Sequence, residues 1–226
     1  MRVGVLFSGG KDSFYALAKA MKYEQIACLI SLVSENKHSY MFHTPGQNLL
    51  RAQAEAVGLP IVLHPTKGEE EKELEDLRSA IVLAKKKFKI GGVVTGALAS
   101  TYQASRVQRI CNELELWCYN PLWQKDQIVL LHELVEDGFV VAINGVAAEP
   151  FDETWLGKKI TPDVITRLEE LQQSHHINPA GEGGEYETMV LDSPLHKRKL
   201  VLTAPRKTFV KGAGTLEFGH VRSGAR

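Results

Sequence analysis

Cysteine is scarce in this sequence of 226 residues. The three cysteines, Cys28, Cys111 and Cys118, form no CxxC pair and no pattern typical of a disulfide framework. Proteins that depend on disulfides are found mainly in oxidising compartments. We therefore expect a reduced, cytoplasmic location.

The sequence also lacks a net charge and a long apolar run. Lys and Arg together number 27, as do Asp and Glu, so no overall field draws the chain to nucleic acid or to an anionic membrane. No apolar run approaches the roughly 20 residues that a membrane-spanning helix needs. The N-terminal residues enter an apolar run directly, without the basic segment, apolar core and cleavage site of a signal peptide. We expect no direct nucleic-acid partner and no membrane partner.

What the sequence does contain is a glycine turn between a predicted strand and a predicted helix. Apolar residues at 3–7 lead into the sequence SGGKDS at 8–13, and an amphipathic pattern follows. Such a turn gathers backbone N–H groups at a helix N-terminus, where they can bind phosphate oxygens. The GxxxxGK[ST] spacing of the common P-loop is absent. Phosphate binding is predicted for the six residues of the turn, Ser8, Gly9, Gly10, Lys11, Asp12 and Ser13.

The residue types in this turn suit a polyphosphate. Gly9 and Gly10 allow the backbone to approach a ligand closely and to adopt a positive φ. Lys11 supplies a mobile cation, and Asp12 can hold Mg²⁺, through water. The alternative is a plain glycine turn in which Asp12 or Ser13 caps the helix, because short motifs also recur by chance.

Strands and helices are predicted to alternate through the first half of the chain. Strands are expected at 3–7, 26–33, 60–64, 90–95 and 116–119, and helices at 12–23, 44–58, 69–89 and 100–114. This alternation predicts an α/β fold with a doubly wound, mostly parallel sheet. Ligands bind such sheets beyond the C-terminal ends of the strands, so the loops at 8–13, 31–35, 96–100 and 120–123 should face one another. Residues 1–122 are therefore predicted to form a nucleotide-binding domain, with Ser31, Gly96 and Ala97 near the nucleotide.

The second half of the chain has a different pattern. Helices are predicted at 127–136 and from Thr161-Pro162-Asp163 onward, and a strand is predicted at 139–146. Short strands separated by turns are expected at 185–191, 199–204, 208–210 and 215–220. Residues 123–226 are thus predicted to form a second, smaller α+β domain.

An acidic glycine loop precedes the first of these short strands. Within six residues of the sequence EGGEYET it carries Glu182, Glu185 and Glu187, with Tyr186 beside them. Three carboxylates so close together suit a bound cation, either Mg²⁺ or a positively charged substrate that Tyr186 could contact through its ring. An exposed acidic turn entering a strand explains the pattern equally well.

Two motifs give the sequence a family resemblance. SGGKDS after a first strand resembles the PP-loop of the N-type ATP pyrophosphatases, and its combination with EGGEYET resembles the diphthine–ammonia ligase family within them. Supporting stretches are His43-Thr44-Pro45, Gly96-Ala97, residues 100–109 followed by Cys111, and Pro121-Leu122-Trp123. The likeness extends from residue 1 to about residue 190, and EGGEYET is the more specific of the two motifs.

The resemblance implies a Rossmann-like fold of the adenine nucleotide alpha hydrolase type and a defined reaction. Family enzymes amidate diphthine, a modified histidine of translation elongation factor 2, to diphthamide with ATP, Mg²⁺ and ammonium, and they release AMP and pyrophosphate. On this reading Lys11, Asp12 and Glu185 are catalytic, and Asp12 binds the metal ion. The substrate's trimethylammonium group would be bound by the acidic loop, through Glu182, Gly183, Gly184, Glu185, Tyr186 and Glu187.

Several alternatives stay open at this stage. The chain could be another adenylating PP-loop enzyme that modifies a tRNA base, an adenine-nucleotide sensor without turnover, or a scaffold. Arg2 excludes an N-terminal cysteine nucleophile of the glutaminase type, so free ammonium is the expected nitrogen source, and the unpaired cysteines disfavour thiolation. Arg106 either reaches the α-phosphate or belongs to a solvated helix face, and a homodimer is left open.

Overall fold

The computed structural model of the protein describes residues 1–34, 46–67, 70–147 and 149–225. Nine strands, six α-helices and a 3₁₀ turn at Glu153–Trp155 lie within these residues. The strands are β1 (Arg2–Leu6), β2 (Gln25–Ser34), β3 (Ile61–Thr66), β4 (Gly92–Val94), β5 (Trp117–Tyr119), β6 (Val140–Val146), β7 (Tyr186–Asp192), β8 (Lys199–Val210) and β9 (Ala213–Gly224). The helices are α1 (Lys11–Met21), α2 (Gln47–Val57), α3 (Glu70–Phe88), α4 (Thr101–Glu113), α5 (Gln127–Glu136) and α6 (Pro162–His175).

The first five strands form a parallel sheet in the order β3-β2-β1-β4-β5. One face of this sheet is covered by α1 and α2, whose apolar side chains share a core with Val3 and Val5. The other face is covered by α3 and α4, which pack against Ile30 and Val93. The strand order reverses its direction between β1 and β4, which is where ligands bind in sheets of this type. The predicted doubly wound α/β fold is confirmed.

The remaining four strands form an antiparallel sheet in the order β7-β6-β9-β8. Val141, Ile143 and Val190 of this sheet share the core cluster that contains α1, so the two sheets are joined by continuous apolar packing. Helix α2 also contacts the second sheet, because its residues Leu49 and Ala52 cluster with residues of that sheet. The predicted α+β character of the second half is confirmed, while a domain division at residue 122 stays a prediction.

The C-terminal strands are longer than the sequence indicates. The short strands predicted at 199–204 and 208–210 are one strand, β8, which pairs along its length with β9. Pro205 lies between the two predicted segments, and proline cannot donate to a strand ladder. It is accommodated because β8 lies at the edge of the sheet and Ala204 takes a left-handed conformation, with φ of 48°.

Helices α4 and α6 begin where the sequence predicts. Ser100 caps α4, its side chain accepting a hydrogen bond from the Gln103 N–H, and Thr161 caps α6 in the same way. Helix α2 begins at Gln47. The predicted start of this helix at Thr44 and Pro45, the neighbouring His43 of the family resemblance, and Glu35 at the end of the predicted loop 31–35 lie outside the described residues. In the part of the chain that is described, no helix has the length and apolarity to cross a bilayer.

Candidate functional site

A cavity of about 820 Å³ lies beyond the C-terminal ends of the parallel strands. Its volume is in the range of small-molecule sites. Three polar segments supply much of its wall: the loop after β1, the loop after β4 and the loop that precedes β7. The lining residues from these loops include Ser8, Gly10, Lys11, Asp12, Ser13, Gly96, Leu98, Ser100, Gly181, Glu182, Gly183, Gly184, Tyr186, Glu187 and Thr188.

The two glycines of the SGGKDS turn have different conformations. Gly9 has φ of +78°, and a Cβ atom there would lie 2.3 Å from Gln53 Oε1, so both backbone and space require glycine. Gly10 is extended, with φ of −83°, and it is the N-cap of α1 without a side-chain cap. Of the two glycines, both of which allow a positive φ, Gly9 adopts one. The predicted cap at Asp12 or Ser13 is wrong, because the turn at Gly9 already directs the chain into the helix and α1 begins at Lys11.

Hydroxyl groups within the turn bind one another and the backbone. Ser8 Oγ lies 3.2 Å from Ser13 Oγ, which in turn donates to the carbonyl of Gly10 at 3.0 Å. Both serines line the cavity. They therefore hold the turn in shape at the point where α1 begins.

Lys11 and Asp12 form an ion pair at the floor of the cavity. Lys11 Nζ lies 2.8 Å from Asp12 Oδ2, and the lysine is buried. Asp12 Oδ1 is also buried and has no hydrogen-bond partner among the described residues. A buried carboxylate oxygen without a hydrogen-bond partner suits Mg²⁺. This ion binds one or two carboxylates and completes its coordination shell with phosphate oxygens and water. No group of three or more His, Cys, Asp or Glu side chains in the described residues forms a metal site by itself.

The SGGKDS turn and the EGGEYET segment meet directly. The N–H of Lys11 donates to Thr188 Oγ1 at 3.1 Å, and the N–H of Val190 donates to the Gly9 carbonyl at 3.1 Å. The side chain of Glu182 accepts a bond from the Ala99 N–H at 3.3 Å, which joins the acidic loop to the loop after β4. The SGGKDS turn, the acidic loop and the loop after β4 therefore meet at one cleft.

Gln53 is a further site residue that the sequence pattern did not single out. This fully buried side chain of α2 donates from Nε2 to the carbonyls of Gly9 at 3.0 Å and Val190 at 2.9 Å. It thus fixes the glycine turn against β7. The available signal was one amide on the otherwise apolar face of α2.

Glu182 is the carboxylate of the acidic loop that lies near Lys11 and Asp12 of the SGGKDS turn. It lines the cavity, and burial, followed by the negative charge of Asp12, raises the pKa of its carboxyl group. The nearby Lys11 ammonium acts in the opposite direction. A raised pKa from burial and a like charge is typical of a group that the fold holds ready for a cationic ligand or a proton.

Glu185 has a different role from the one predicted. Its Oε1 accepts bonds from the N–H and the Nδ2 of Asn178 at 2.7 and 2.9 Å, and its Oε2 accepts from the Gly183 N–H at 2.9 Å. The side chain is buried and is not among the residues that line the cavity. Glu185 therefore holds the acidic loop together, and its geometry offers no carboxylate oxygen to a substrate cation.

Tyr186 and Glu187 line the cavity in different ways. Tyr186 is buried beside Phe151, its hydroxyl donates to the Pro179 carbonyl at 2.5 Å, and burial raises its pKa. Glu187 pairs with Gly145 of β6, where a Cβ atom would lie 3.2 Å from the Glu187 side chain. The cavity thus has two carboxylates in its wall from this loop, Glu182 and Glu187, together with an aromatic ring.

The other predicted nucleotide residues divide into lining and supporting positions. Ser31 and Gly96 line the cavity. The Ser31 hydroxyl donates to the Phe7 carbonyl, and a Cβ atom at Gly96 would lie 2.7 Å from the carbonyl carbon of Asp12. Gly96 therefore lets the loop after β4 pack closely against the SGGKDS turn at Asp12. Ala97 lies behind the wall, with its N–H bonded to Thr95 Oγ1.

One wall of the cavity is apolar and polar groups border it. The Tyr102 and Gln103 side chains of α4 stand beside a surface suited to a flat base. Apolar side chains from β2, α3, α4 and the loop after β4 form that surface, namely Ile30, Leu32, Leu77, Leu98 and Val107. Arg106 stacks on the Tyr102 ring at 3.3 Å and lines a second cavity of about 300 Å³ with Arg109. The predicted loop at 120–123 contributes no lining residue, and its Leu122 is buried in the core.

Comparisons with known proteins match both halves of the chain. A model of the diphthamide synthase N-terminal domain matches residues 1–117, and a model of the diphthamide synthase C-terminal domain matches residues 126–222. The diphthine–ammonia ligase of Mus musculus is 36% identical over 222 residues, which cover 89% of this chain and 83% of that protein. The human protein of the same name is 35% identical with the same coverage.

Two further likenesses differ in extent. The diphthine–ammonia ligase of Schizosaccharomyces pombe is 35% identical over 221 residues, which cover 90% of this chain and 36% of that longer protein. A predicted subunit of a tRNA methyltransferase from Methanocaldococcus jannaschii covers 86% of this chain and 98% of its own, with 15% identity and a TM-score of 0.41. No conclusion rests on that structure. The two domain models and the relatives at about 35% identity over most of the chain confirm the resemblance, and the chain belongs to the diphthine–ammonia ligase family.

Proposed function

We propose that this protein is a cytoplasmic, ATP-dependent ligase that amidates diphthine on translation elongation factor 2 with ammonium, giving diphthamide, AMP and pyrophosphate. The observation that carries the proposal is the junction of the two motifs, in which the Lys11 N–H is bonded to Thr188 Oγ1 at the wall of one cavity. Residues 1–122 would bind ATP, and residues 123–226 would bind the protein substrate.

The two ends of the cavity suggest an orientation for ATP. Its base would lie on the apolar wall beside Tyr102, and its phosphates would lie at the N-terminus of α1, where N–H groups and the helix dipole favour negative charge. Lys11 is placed to neutralise the charge that develops on pyrophosphate. Breaking its ion pair with Asp12 would free the ammonium group for the phosphates.

Asp12 is the residue we assign to Mg²⁺. Its Oδ1 atom is buried and unpartnered among the described residues, and phosphate oxygens and water would complete the coordination. When bound, the ion would neutralise charge on the phosphates.

The diphthine carboxylate would enter from the side of the acidic loop. Glu182 and Glu187 would face its trimethylammonium group, and Tyr186 would contribute its ring. A carboxylate oxygen attacks the α-phosphorus of ATP, the bond from that phosphorus to the bridging oxygen breaks, and pyrophosphate leaves. Ammonia then attacks the acyl carbon, AMP leaves with the former carboxylate oxygen, and the proton released from nitrogen passes to a base. The protein's main contribution is the alignment of the carboxylate with the α-phosphorus.

Product analysis tests this function. The protein is incubated with ATP, Mg²⁺, ammonium and diphthine-bearing elongation factor 2. We expect AMP and pyrophosphate in equal amounts and a mass change of the factor that corresponds to replacement of OH by NH₂. ADP and phosphate would contradict cleavage between the α and β phosphates, and ATP binding without turnover would indicate a sensor.

Lys11→Met gives a matched test of the phosphate site. Lys86→Met serves as the control, because Lys86 is exposed near the C-terminus of α3, at the opposite edge of the sheet. We expect the first variant to lose pyrophosphate formation by at least about a hundredfold and the second to keep it. Equal activity of the two variants would remove Lys11 from the proposed mechanism.

A further inference from the structure

The chain has no net charge, but its positive and negative residues are unevenly distributed along the sequence. Residues 193–226 contain eight Lys and Arg residues and one acidic residue, Glu217, a formal charge of +7. The preceding residues 1–192 therefore carry a formal charge of −7. Balanced composition argues against a long-range field of the whole chain, but it leaves a local basic surface intact.

The positive charge is displayed on a rigid hairpin. Strands β8 and β9, residues 199–224, pair from Lys199–Gly224 to Val210–Ala213, and we call them the basic hairpin. Its basic side chains are all exposed, namely Lys199, Arg206, Lys207, Lys211 and Arg222. The base of the hairpin is fixed to α2, where Leu200 joins the core cluster and the Lys197 and Arg198 N–H groups donate to the Ala56 carbonyl.

The tip of the basic hairpin adjoins the catalytic cavity. Thr215 and Gly214 pair with Gly145 and Val146 of β6, whose other side pairs with β7. Gly145 also pairs with Glu187, which lines the cavity. Neighbouring strands lie about 4.8 Å apart, so Thr215 is about 10 Å from the cavity wall. The turn at Lys211 and Gly212, which forms the tip, comes just before Gly214 in the chain.

The basic hairpin lacks the features of a nucleic-acid platform. Single strands are commonly bound by exposed aromatic rings that stack on bases. The two aromatic residues of the hairpin, Phe209 and Phe218, are partly buried and pack against the apolar core clusters. A surface that offers exposed charge without an exposed Phe, Tyr or Trp side chain fits an acidic protein surface better, and its exposed imidazole, His220, pairs with Thr203 away from the tip.

We propose that the basic hairpin docks an acidic surface of the protein substrate beside the cavity. The inference rests on the proposed function, since that function requires a protein side chain to enter the cavity. A cationic side chain would then meet Glu182 and Glu187 inside, while acidic groups around it meet Arg206, Lys207 and Lys211 outside. The negative charge inside the cavity and the positive charge on the hairpin would together set the orientation of the substrate and its rate of association.

The test compares two triple variants of the full chain. Arg206→Gln, Lys207→Gln and Lys211→Gln together remove charge near the tip. Lys22→Gln, Lys86→Gln and Lys87→Gln remove the same charge from exposed positions at the C-terminal ends of α1 and α3, on the opposite edge of the parallel sheet. Measurements are KM and kcat for diphthine-bearing elongation factor 2, KM for ATP, and direct binding of the factor at low and high salt.

We expect the hairpin variant to raise KM for the factor by about tenfold at low salt, with kcat and KM for ATP unchanged. The difference should shrink at high salt, because salt screens exposed charges. The control variant should match the unmodified protein. Equal KM and equal binding for all three proteins would overturn the docking surface while leaving the ligase function intact.

Two other results separate the remaining explanations. Salt-dependent binding of the factor that is lost in the hairpin variant, without turnover by any protein, would support the surface and overturn the ligase function. A labelled single-stranded RNA tests the other class of partner. RNA binding lost in the hairpin variant, with unchanged KM for the factor, would overturn docking of protein in favour of RNA.

Discussion

The backbone N–H of Lys11 donates a hydrogen bond to Thr188 Oγ1 at 3.1 Å, across 177 positions of the chain. The first N–H groups of a helix have no acceptor within the helix, so they are the donors that a phosphate would use. One of them is bound here by the acidic segment. The position of that segment therefore sets the orientation of the SGGKDS turn, so the proposed phosphate site and the proposed substrate site depend on each other.

Thr188→Val should weaken this dependence without a change of side-chain volume. The Lys11 N–H would lose its acceptor, which costs about 1–3 kcal/mol of unfolding free energy. We expect kcat/KM to fall by at least about tenfold, because the SGGKDS turn loses the hydrogen bond that positions it. Urea unfolding and steady-state kinetics measure the two effects.

Thr188→Ser is the control for this prediction. Serine keeps the hydroxyl group and should retain both the stability and most of the activity. Equal kinetics for the serine and valine variants would show that the hydroxyl does not position Lys11.

Gly9 and Gln53 should be energetically coupled. Gly9→Ala places a methyl group 2.3 Å from Gln53 Oε1 and forces a left-handed alanine. The conformation costs about 1–2 kcal/mol, and the overpacking adds about 1–3 kcal/mol. Gln53→Ala removes the overpacking, so Gly9→Ala should cost less in that background.

A double-mutant cycle measures this coupling. Urea unfolding of the unmodified protein, both single variants and the double variant gives the interaction energy, which we expect to be about 1–3 kcal/mol. Additive effects would show that the turn moves away from Gln53 without cost.

The parallel sheet could be read from the sequence, whereas contacts between distant segments could not. The continuous apolar run of β2 is typical of a strand covered on both faces, and it needs no knowledge of the rest of the chain. Gln53 fits the helical spacing of the apolar residues around it, so its bonds to Gly9 and Val190 emerge only when α2 and β7 are packed together.

The acidic loop shows why spacing alone cannot give the direction of one carboxylate. Glu185 and Glu187 would share a face if the strand included both. Strand β7 begins at Tyr186, so the direction of Glu185 is set by hydrogen bonds from Asn178 and Gly183 and not by alternation. The sequence shows that residue 185 is a glutamate, but not that its carboxylate accepts the hydrogen bonds that hold the loop together.

Glu185→Gln should therefore act on the structure of the loop. All three groups around its carboxylate are N–H donors, and an amide NH₂ in place of one oxygen would face a donor. We expect a loss of about 1–3 kcal/mol in unfolding free energy and a higher KM for elongation factor 2, with ATP binding retained. Asn178→Ala, which removes one of the three donors, should give a smaller loss. A Glu185→Gln protein with normal stability but no turnover would instead support the direct catalytic role.

Glu182 should make the stability of the protein fall as the pH rises. Burial and Asp12 raise the pKa of the Glu182 carboxyl group in the folded state. Between the ordinary carboxyl pKa and this raised pKa, the folded protein holds a proton that the unfolded chain has lost, so the unfolding free energy decreases with increasing pH. Glu182→Gln removes this pH dependence and should raise the unfolding free energy at neutral pH, with the advantage disappearing at about pH 4 and below.

Urea unfolding across this pH range measures the difference in unfolding free energy between the variant and the unmodified protein. Glu136→Gln, at an exposed position of α5, controls for loss of a carboxylate elsewhere. Parallel stability curves for Glu182→Gln and the unmodified protein would show that Glu182 is not buried beside Asp12 in solution.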